Sequence, residues 1–378
     1  DTGHYSNDLR YVLSLQNTIA AFEEIKTWEG YAKTPLHSLD SLASDIGVKN
    51  IYYKDESSRF GLGSFKALGG TYGVLKFIHH ALKKEIGDEV SMKDIHAGKY
   101  SEQISKYTVT TATDGNHGRS VAFGAKLFGC QCQIYIHSEV SSGRQKAMED
   151  LEATVNRVSG NYDESLQICI EDAGKNNWYV ISDTSYKGYT KYPRYIMAGY
   201  NVMAKEIIDQ IKDRPLPTHI FLQGGVGSFP GAICGYFWER FPGNNIKFVV
   251  VESEHAPCLI RSAQNNQMTS VNIKQETMMA GLSCGEPSLL GWKILKSGTD
   301  DFITINDSSI PGLMRLLAET NLKIEAGESS VAGLAGLIES MEDQKIAEAM
   351  ELNKESIVLL FGTEGATDPD IYRSIISE

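Results

Sequence analysis

The sequence predicts an α/β protein in two lobes, built on mostly parallel sheet covered by helices on both faces. Three observations predict it. Short, nearly continuous apolar runs rich in β-branched and aromatic residues alternate with segments of helical periodicity. Glycine-bearing turns fall where those runs give way to helices or loops, the edge at which open α/β sheets place ligands. Two irregular stretches interrupt the alternation and mark a change of lobe.

Taken in chain order, the first assigned helix opens at Lys66 and runs to about residue 84, with Ser64 as its candidate N-cap. EIGDEVSMKDIHAGKYSEQIS (85–105) is polar and irregular. TVTTAT (108–113), QCQIYIH (131–137) and WYVIS (178–182) then read as strands. Between and after them GRSVAFGAKLFG (118–129), GRQKAMEDLEA (143–153) and YIMAGYNVMAKEIIDQI (195–211) read as helices. DRPLPTH (213–219) carries two prolines and makes a stiff connector. HIFLQ (219–223), KFVVVE (247–252) and SIVLLF (356–361) complete the strands. The expected division is a larger lobe of residues 1–85 and 213–378, with a smaller lobe of residues 86–212 inserted between its halves. No internal repeat or low-complexity tract is evident.

Bulk composition excludes some classes. The 36 basic residues are outnumbered by 48 acidic ones, for a formal charge of −12. That argues against a nucleic-acid backbone as partner, which needs clustered Lys and Arg. No apolar run approaches the ~18 residues a membrane span requires. The opening DTGHYSNDLRYVLSL lacks the basic and apolar regions of a secretory signal, and its lack of Met leaves room for an upstream piece. The six cysteines show no CxxC pairing, so reduced thiols in a cytoplasmic protein are expected. Cys258 and Cys284 fall in loops near the expected active face, where a bridge stays open as an alternative.

Four segments carry candidate chemistry. In KDESSRFGLGSFKALGG (54–70), Phe65 precedes Lys66 at a helix start. The positive end of the helix dipole favours a neutral amine there, the form an imine-forming lysine needs. By itself it also reads as a surface lysine. In TTATDGNHGRS (110–120), Asp114, Asn116 and His117 link a strand to a helix, with glycines that admit close backbone approach. Asn116 can donate and accept, which suits a phenolate oxygen; His117 also reads as a packed, hydrogen-bonded residue. In LQGGVGSFPGA (222–232), the amides of Gly224, Gly225, Val226, Gly227 and Ser228 form a phosphate cradle at a helix start. This is not a dinucleotide fingerprint, because the frame beginning at Gly225 ends on Pro230. In LLFGTEGATDP (359–369), Thr363 offers a hydroxyl to a ring nitrogen, with Glu364 as the alternative. Together the four supply what seats pyridoxal phosphate: a lysine for C4′, an amide for the phenolate, a cradle for the phosphate and a hydroxyl for the ring nitrogen.

The order S-F-K, D-G-N-H-G, G-G-V-G-S and then a hydroxyl near the C-terminus resembles the fold type II pyridoxal-phosphate enzymes, whose fold is tryptophan synthase β-like. KTPLHSL, NYDES, ISDTSYKGYTKYP, MAGLSCGEPS and EAGESSVAGL extend the resemblance over residues 33–368, and within the family it points to the diaminopropionate ammonia-lyases. It implies two open, mostly parallel sheets, a homodimer, and α,β-elimination of D- or L-2,3-diaminopropionate to pyruvate and two ammonia. Most of the family shows Ser-Thr before Glu-Gly near the C-terminus, whereas here Gly362 precedes Thr363. Dehydratases of this fold usually carry serine where this chain has Asp114, and a carboxylate there suits an ammonium group or a proton. The resemblance places Asp183 in the same cleft, Gly281 beside the cofactor, Tyr162 on the pocket wall with His117, and Glu325 nearby without a role. It also implies that Lys66 takes the α-proton from the L isomer and Asp114 from the D isomer. A serine or threonine dehydratase and a non-catalytic cofactor-binding protein are the alternatives. A metal is not expected.

Overall fold

The computed structural model describes residues 4–87 and 89–377. Its strands are β1 (Leu36–Ser38), β2 (Asn50–Asp55), β3 (Thr108–Ala112), β4 (Gln131–Ile136), β5 (Thr154–Arg157), β6 (Tyr179–Val180), β7 (His219–Gln223), β8 (Lys247–Ser253), β9 (Asp301–Ile305) and β10 (Ile357–Gly362). They form two sheets among the described residues, of order β1-β2-β10-β7-β8-β9 and β5-β4-β3-β6. Every pairing is parallel except β1 against β2.

The chain divides into two compact units. Unit 1 comprises Asp1–Phe65, Thr184–Lys187 and Tyr200–Glu378; unit 2 comprises Lys66–Asp183 and Gly188–Gly199. The lobes expected from the sequence differ from this division in the helix Lys66–Ile86, which belongs to unit 2. Its small-residue run explains why. A Cβ at Gly70 would fall on the Ser120 hydroxyl, and one at Gly124 would lie 3.0 Å from the Thr71 Cα. The helix therefore packs backbone to backbone on the helix Asn116–Phe128, and Thr71 N–H donates to Ser120 Oγ at 3.1 Å. The other boundary falls inside the helix Lys191–Gln210.

All six strands expected from the sequence are present, and β1, β2, β5 and β9 are additional. β2 hides its identity because Lys54 and Asp55 interrupt its apolar run, although both are buried. β5 and β9 are edge strands, largely exposed or half-buried, with little apolar signal. The irregular stretch at 85–105 contains the short helices Met92–His96 and Ser101–Ile104.

Sheet direction positions the functional segments. In unit 1, β2, β10 and β7 are parallel neighbours, so the segments that follow them leave the same edge of the sheet. In unit 2, β4, β3 and β6 are parallel neighbours and do the same. Beneath the larger sheet, Phe221, Val249, Val251, Leu334, Val358 and Leu360 belong to one core cluster.

Candidate active site

In unit 2, Lys66 is the first residue of its helix, and its carbonyl accepts the Ser120 hydroxyl at 2.6 Å. Its Nζ donates to Asp183 Oδ2, on the segment that follows β6. His117 is buried, and its Nε2 meets the Ile181 carbonyl at 2.8 Å. A carbonyl only accepts, so Nε2 carries the proton and Nδ1 presents a lone pair. That Nδ1 lies 3.9 Å from Asp183 Oδ2 and has no hydrogen-bond partner among the described residues. Burial holds the His117 ring below the ordinary imidazole pKa, with Asp183 opposing and Lys66 assisting. Burial alone would push the Asp183 carboxyl up, but the Lys66 ammonium and His117 outweigh it and hold the group well below the usual carboxylate range.

Asp114 and Asn116 follow β3. Thr113 Oγ1 shapes this turn by accepting the N–H groups of Gly115 and Gly118, each at 3.0 Å. Gly118 is required by close approach, since a Cβ there would strike the Thr113 methyl and the Met148 sulfur. Asn116 opens the following helix. Asp114 Oδ1 is paired with His137 Nε2 at 2.9 Å. Tyr162 opens the helix Tyr162–Asn176 behind an Asn161–Glu164 capping box, and its side chain is exposed.

Unit 1 holds the glycine loop, Gly281, Phe65 and Thr363 together. Gly225 and Gly227 have φ of 58° and 95°, which lets the chain turn sharply between β7 and the helix Ser228–Arg240. The amides of Gly225 and Val226 take no hydrogen-bond partner among the described residues, while Gly224 N–H donates to Val251 O and Gly227 N–H to Gly224 O. A Cβ at Gly225 would lie 3.4 Å from the Gly281 carbonyl, so the turn Ala280–Leu282 flanks the loop. Phe65 N–H donates to the Thr363 carbonyl at 3.1 Å, and the Phe65 ring packs on Phe229, one residue beyond Ser228, at 4.9 Å between centroids. Lys66 is the next residue in the chain after Phe65. Glu364 is occupied differently: its Oε1 accepts Ser329 N–H, within the 3₁₀ turn Glu328–Val331, at 3.1 Å. Glu325 Oε1 accepts Ala366 N–H at 3.0 Å. Cys258 and Cys284 are not joined in a disulfide and lie beside Gly225.

Three polar residues were not singled out from the sequence. Ser329 Oγ and Gln223 Oε1 are buried without a hydrogen-bond partner among the described residues, although Gln223 Nε2 donates to Phe361 O at 2.7 Å. Ser329 lies against Gly281, inside the EAGESSVAGL segment, and Gln223 ends β7 just before the glycine loop; those placements were the available signals. His137, just past β4, offered no signal beyond its place at a strand end.

A helix N-terminus with two unengaged amides and an edge with buried unpartnered polar atoms fit an anionic, ring-bearing group such as pyridoxal phosphate. The family follows: the pyridoxal-phosphate dependent enzyme model matches residues 27–362, and the chain belongs to that family. Within it, the chain is 37% identical to the diaminopropionate ammonia-lyase of Salmonella typhimurium over 96% of this chain and 93% of that protein. It is also 37% identical to the Escherichia coli K12 enzyme of the same name, over 92% and 88%. The crystal structure of the Escherichia coli diaminopropionate ammonia-lyase in complex with an aminoacrylate-PLP azomethine reaction intermediate superposes with a TM-score of 0.88 at 35% identity, covering 99% of this chain and 94% of that one. Maize serine racemase, at 19% identity and a TM-score of 0.77, shares the fold. Among the described residues no helix is long and apolar enough to cross a membrane.

Proposed function

We propose that this chain catalyses α,β-elimination of 2,3-diaminopropionate, releasing pyruvate and two molecules of ammonia. One observation carries the reading. His117 Nδ1 and Asp183 Oδ2 are two acceptors 3.9 Å apart, one of them unpartnered, and Asp183 is held as a carboxylate. A donor-rich cation satisfies such a pair, and a hydroxyl does so poorly. Lys66 takes that role towards Asp183 in this structure. When Lys66 is engaged with the cofactor, the second ammonium of a diamino acid takes its place.

The residues divide the work as follows. Lys66 would hold C4′ of pyridoxal phosphate, with Phe65 fixing its main chain. Gly224, Gly225, Val226, Gly227 and Ser228 would hold the phosphate, Asn116 the phenolate and Thr363 the ring nitrogen, with Gly281 flanking the ring. Bound pyridoxal phosphate supplies an electron sink conjugated with the substrate Cα, which lowers the barrier to losing the α-proton. Once displaced from the cofactor by the substrate's α-amine, Lys66 Nζ would accept that proton from the L isomer, and Asp114 would accept it from the D isomer. Asp183 and His117 bind the β-ammonium and orient its C–N bond. Tyr162 borders the substrate. The family resemblance supports a homodimer, and six cysteines outside any disulfide suit a reducing cytoplasm.

The test is a substrate panel of D- and L-diaminopropionate, serine and threonine with pyruvate release as the readout. The diamino acid is expected to dominate in kcat/KM. Dominance by serine or threonine would make the chain a dehydratase, and no pyruvate from any substrate would make it a binding protein.

A further inference from the structure

His137 stands one layer behind Asp114, and nothing in the reading above uses it. Its two ring nitrogens are both assigned by their surroundings. Nδ1 accepts the backbone N–H of Glu139 at 3.3 Å, so in the neutral ring the proton sits on Nε2. Nε2 therefore donates to Asp114 Oδ1, at 2.9 Å. The main chain at His137 is fixed in turn. The Arg157 guanidinium donates to the carbonyls of His137 and Ser138 at 3.3 and 2.8 Å, and also to Gln145 Oε1. Ser138 N–H donates to Gly160 O at 3.1 Å. The Arg144 side chain, one residue before Gln145, lies against Gly115 beside Asp114.

We propose that His137 is the positioning residue for Asp114 in turnover of the D isomer, an inference that rests on Asp114 being the base for that isomer. The ring engages Oδ1 and leaves Oδ2 as the oxygen that takes the proton. In that step the Cα–H bond breaks and its electron pair forms the second Cα–Cβ bond. The Cβ–N bond breaks with its pair on the departing nitrogen, so a β-ammonium leaves as ammonia, and a new O–H bond forms at Oδ2. The Nε2–H donor fixes the plane of the Asp114 carboxyl group throughout the step. Neutral imidazole suffices, and the Glu139 amide selects the tautomer that provides it.

The holoenzyme provides the test. His137→Ala is expected to lower kcat for D-diaminopropionate by about tenfold to a hundredfold, the range for losing a hydrogen bond to a charged group, and to change kcat for the L isomer by less than about twofold. KM for the D isomer should move little. His137→Gln, whose amide N–H can reach the same oxygen, should recover most of the D turnover. Histidine ¹⁵N spectra of labelled holoenzyme give a readout independent of activity. The resonance lost in His137→Gln should belong to an Nε2–H tautomer and should shift in Asp114→Asn. Equal losses on both isomers, no loss on either, an Nδ1–H tautomer, or indifference to Asp114→Asn would each overturn the positioning role. Asp114→Asn itself separates the two claims. Loss confined to the D isomer keeps Asp114 as base even if His137 fails, whereas equal loss on both isomers removes the base and this inference with it.

Discussion

The two units treat buried charge in opposite ways. Unit 1 seals Lys54, Glu56, Arg59 and Glu206 completely, with side-chain exposures of 0%. Lys54 Nζ spends its three donors on Glu206, the Thr34 carbonyl and Gln210. Arg59 divides its donors among Glu56, Glu206, Thr34 Oγ1 and the Ala32 carbonyl, at 2.7 to 3.0 Å. Two cations face two carboxylates, and Tyr31 adds a hydroxyl to Glu206 at 2.8 Å. In unit 2 the Lys66 and Asp183 side chains keep 20% and 15% exposure, Asp114 keeps 34%, and an unpartnered nitrogen faces the pair. The ingredients are alike, and accessibility with an unmatched acceptor separates reactive charge from scaffold. A charge cluster marks chemistry when it is incompletely satisfied and open, not merely when it is buried.

The largest test of that contrast is Lys66→Ala. It should abolish pyruvate release, by on the order of 10³-fold or more, and leave no peptide containing position 66 tagged by borohydride reduction in the presence of the cofactor. Retention of activity and tagging would strip the open pair of its role. Next comes Asp183→Asn, which keeps the shape and removes the charge. Turnover of both isomers should fall by about 10²-fold, with serine affected less than the diamino acid, because a neutral amide attracts an ammonium poorly. Unchanged kinetics would make Asp183 a structural cap. Arg59→Met probes the sealed side: it leaves Glu56 without its cation and Glu206 with Lys54 alone, and should cost about 3–5 kcal/mol in urea unfolding. The ratio of D to L turnover should not move. A changed ratio at unchanged stability would mean that the sealed network also takes part in the reaction.

The same contrast governs what could be read from the chain. The glycine loop was legible because strand, Gly-Gly-Val-Gly and helix start are contiguous, so local geometry alone defines a cradle. Lys66 was legible as a helix start for the same reason. Its pairing with Asp183, 117 residues away, follows from strand order and entered only through the family resemblance. β2 was missed because Lys54 and Asp55 interrupt its apolar run with charge, and Glu206, the partner of Lys54, is about 150 residues distant, on the helix Lys191–Gln210. His137 looked like the polar end of a strand. Only the adjacency of β3 and β4 reveals that it backs Asp114. Periodicity carries the elements well, but long-range charge matching leaves no trace in spacing.

Acid unfolding offers the smallest and most discriminating effect. Burial alone would raise the Glu206 carboxyl, but Arg59 first and Lys54 second outweigh it and hold the group at about 2, against an ordinary value of 4.5. A carboxyl that binds its proton less readily in the fold than in the unfolded chain stabilises the fold above its unfolded pKa. That stabilisation drains as the pH falls through the interval towards 2. Glu206→Gln should lower stability at neutral pH and flatten the limb between pH ~4.5 and ~2 in urea titrations. Asp183 is shifted in the same direction by Lys66 and His117, so it contributes a limb of its own. The two are separable by variant. If the wild-type slope survives in Glu206→Gln and flattens in Asp183→Asn, the proton linkage resides in the open pair. The sealed network would then be inert to acid over that range, and its charges would count for packing alone.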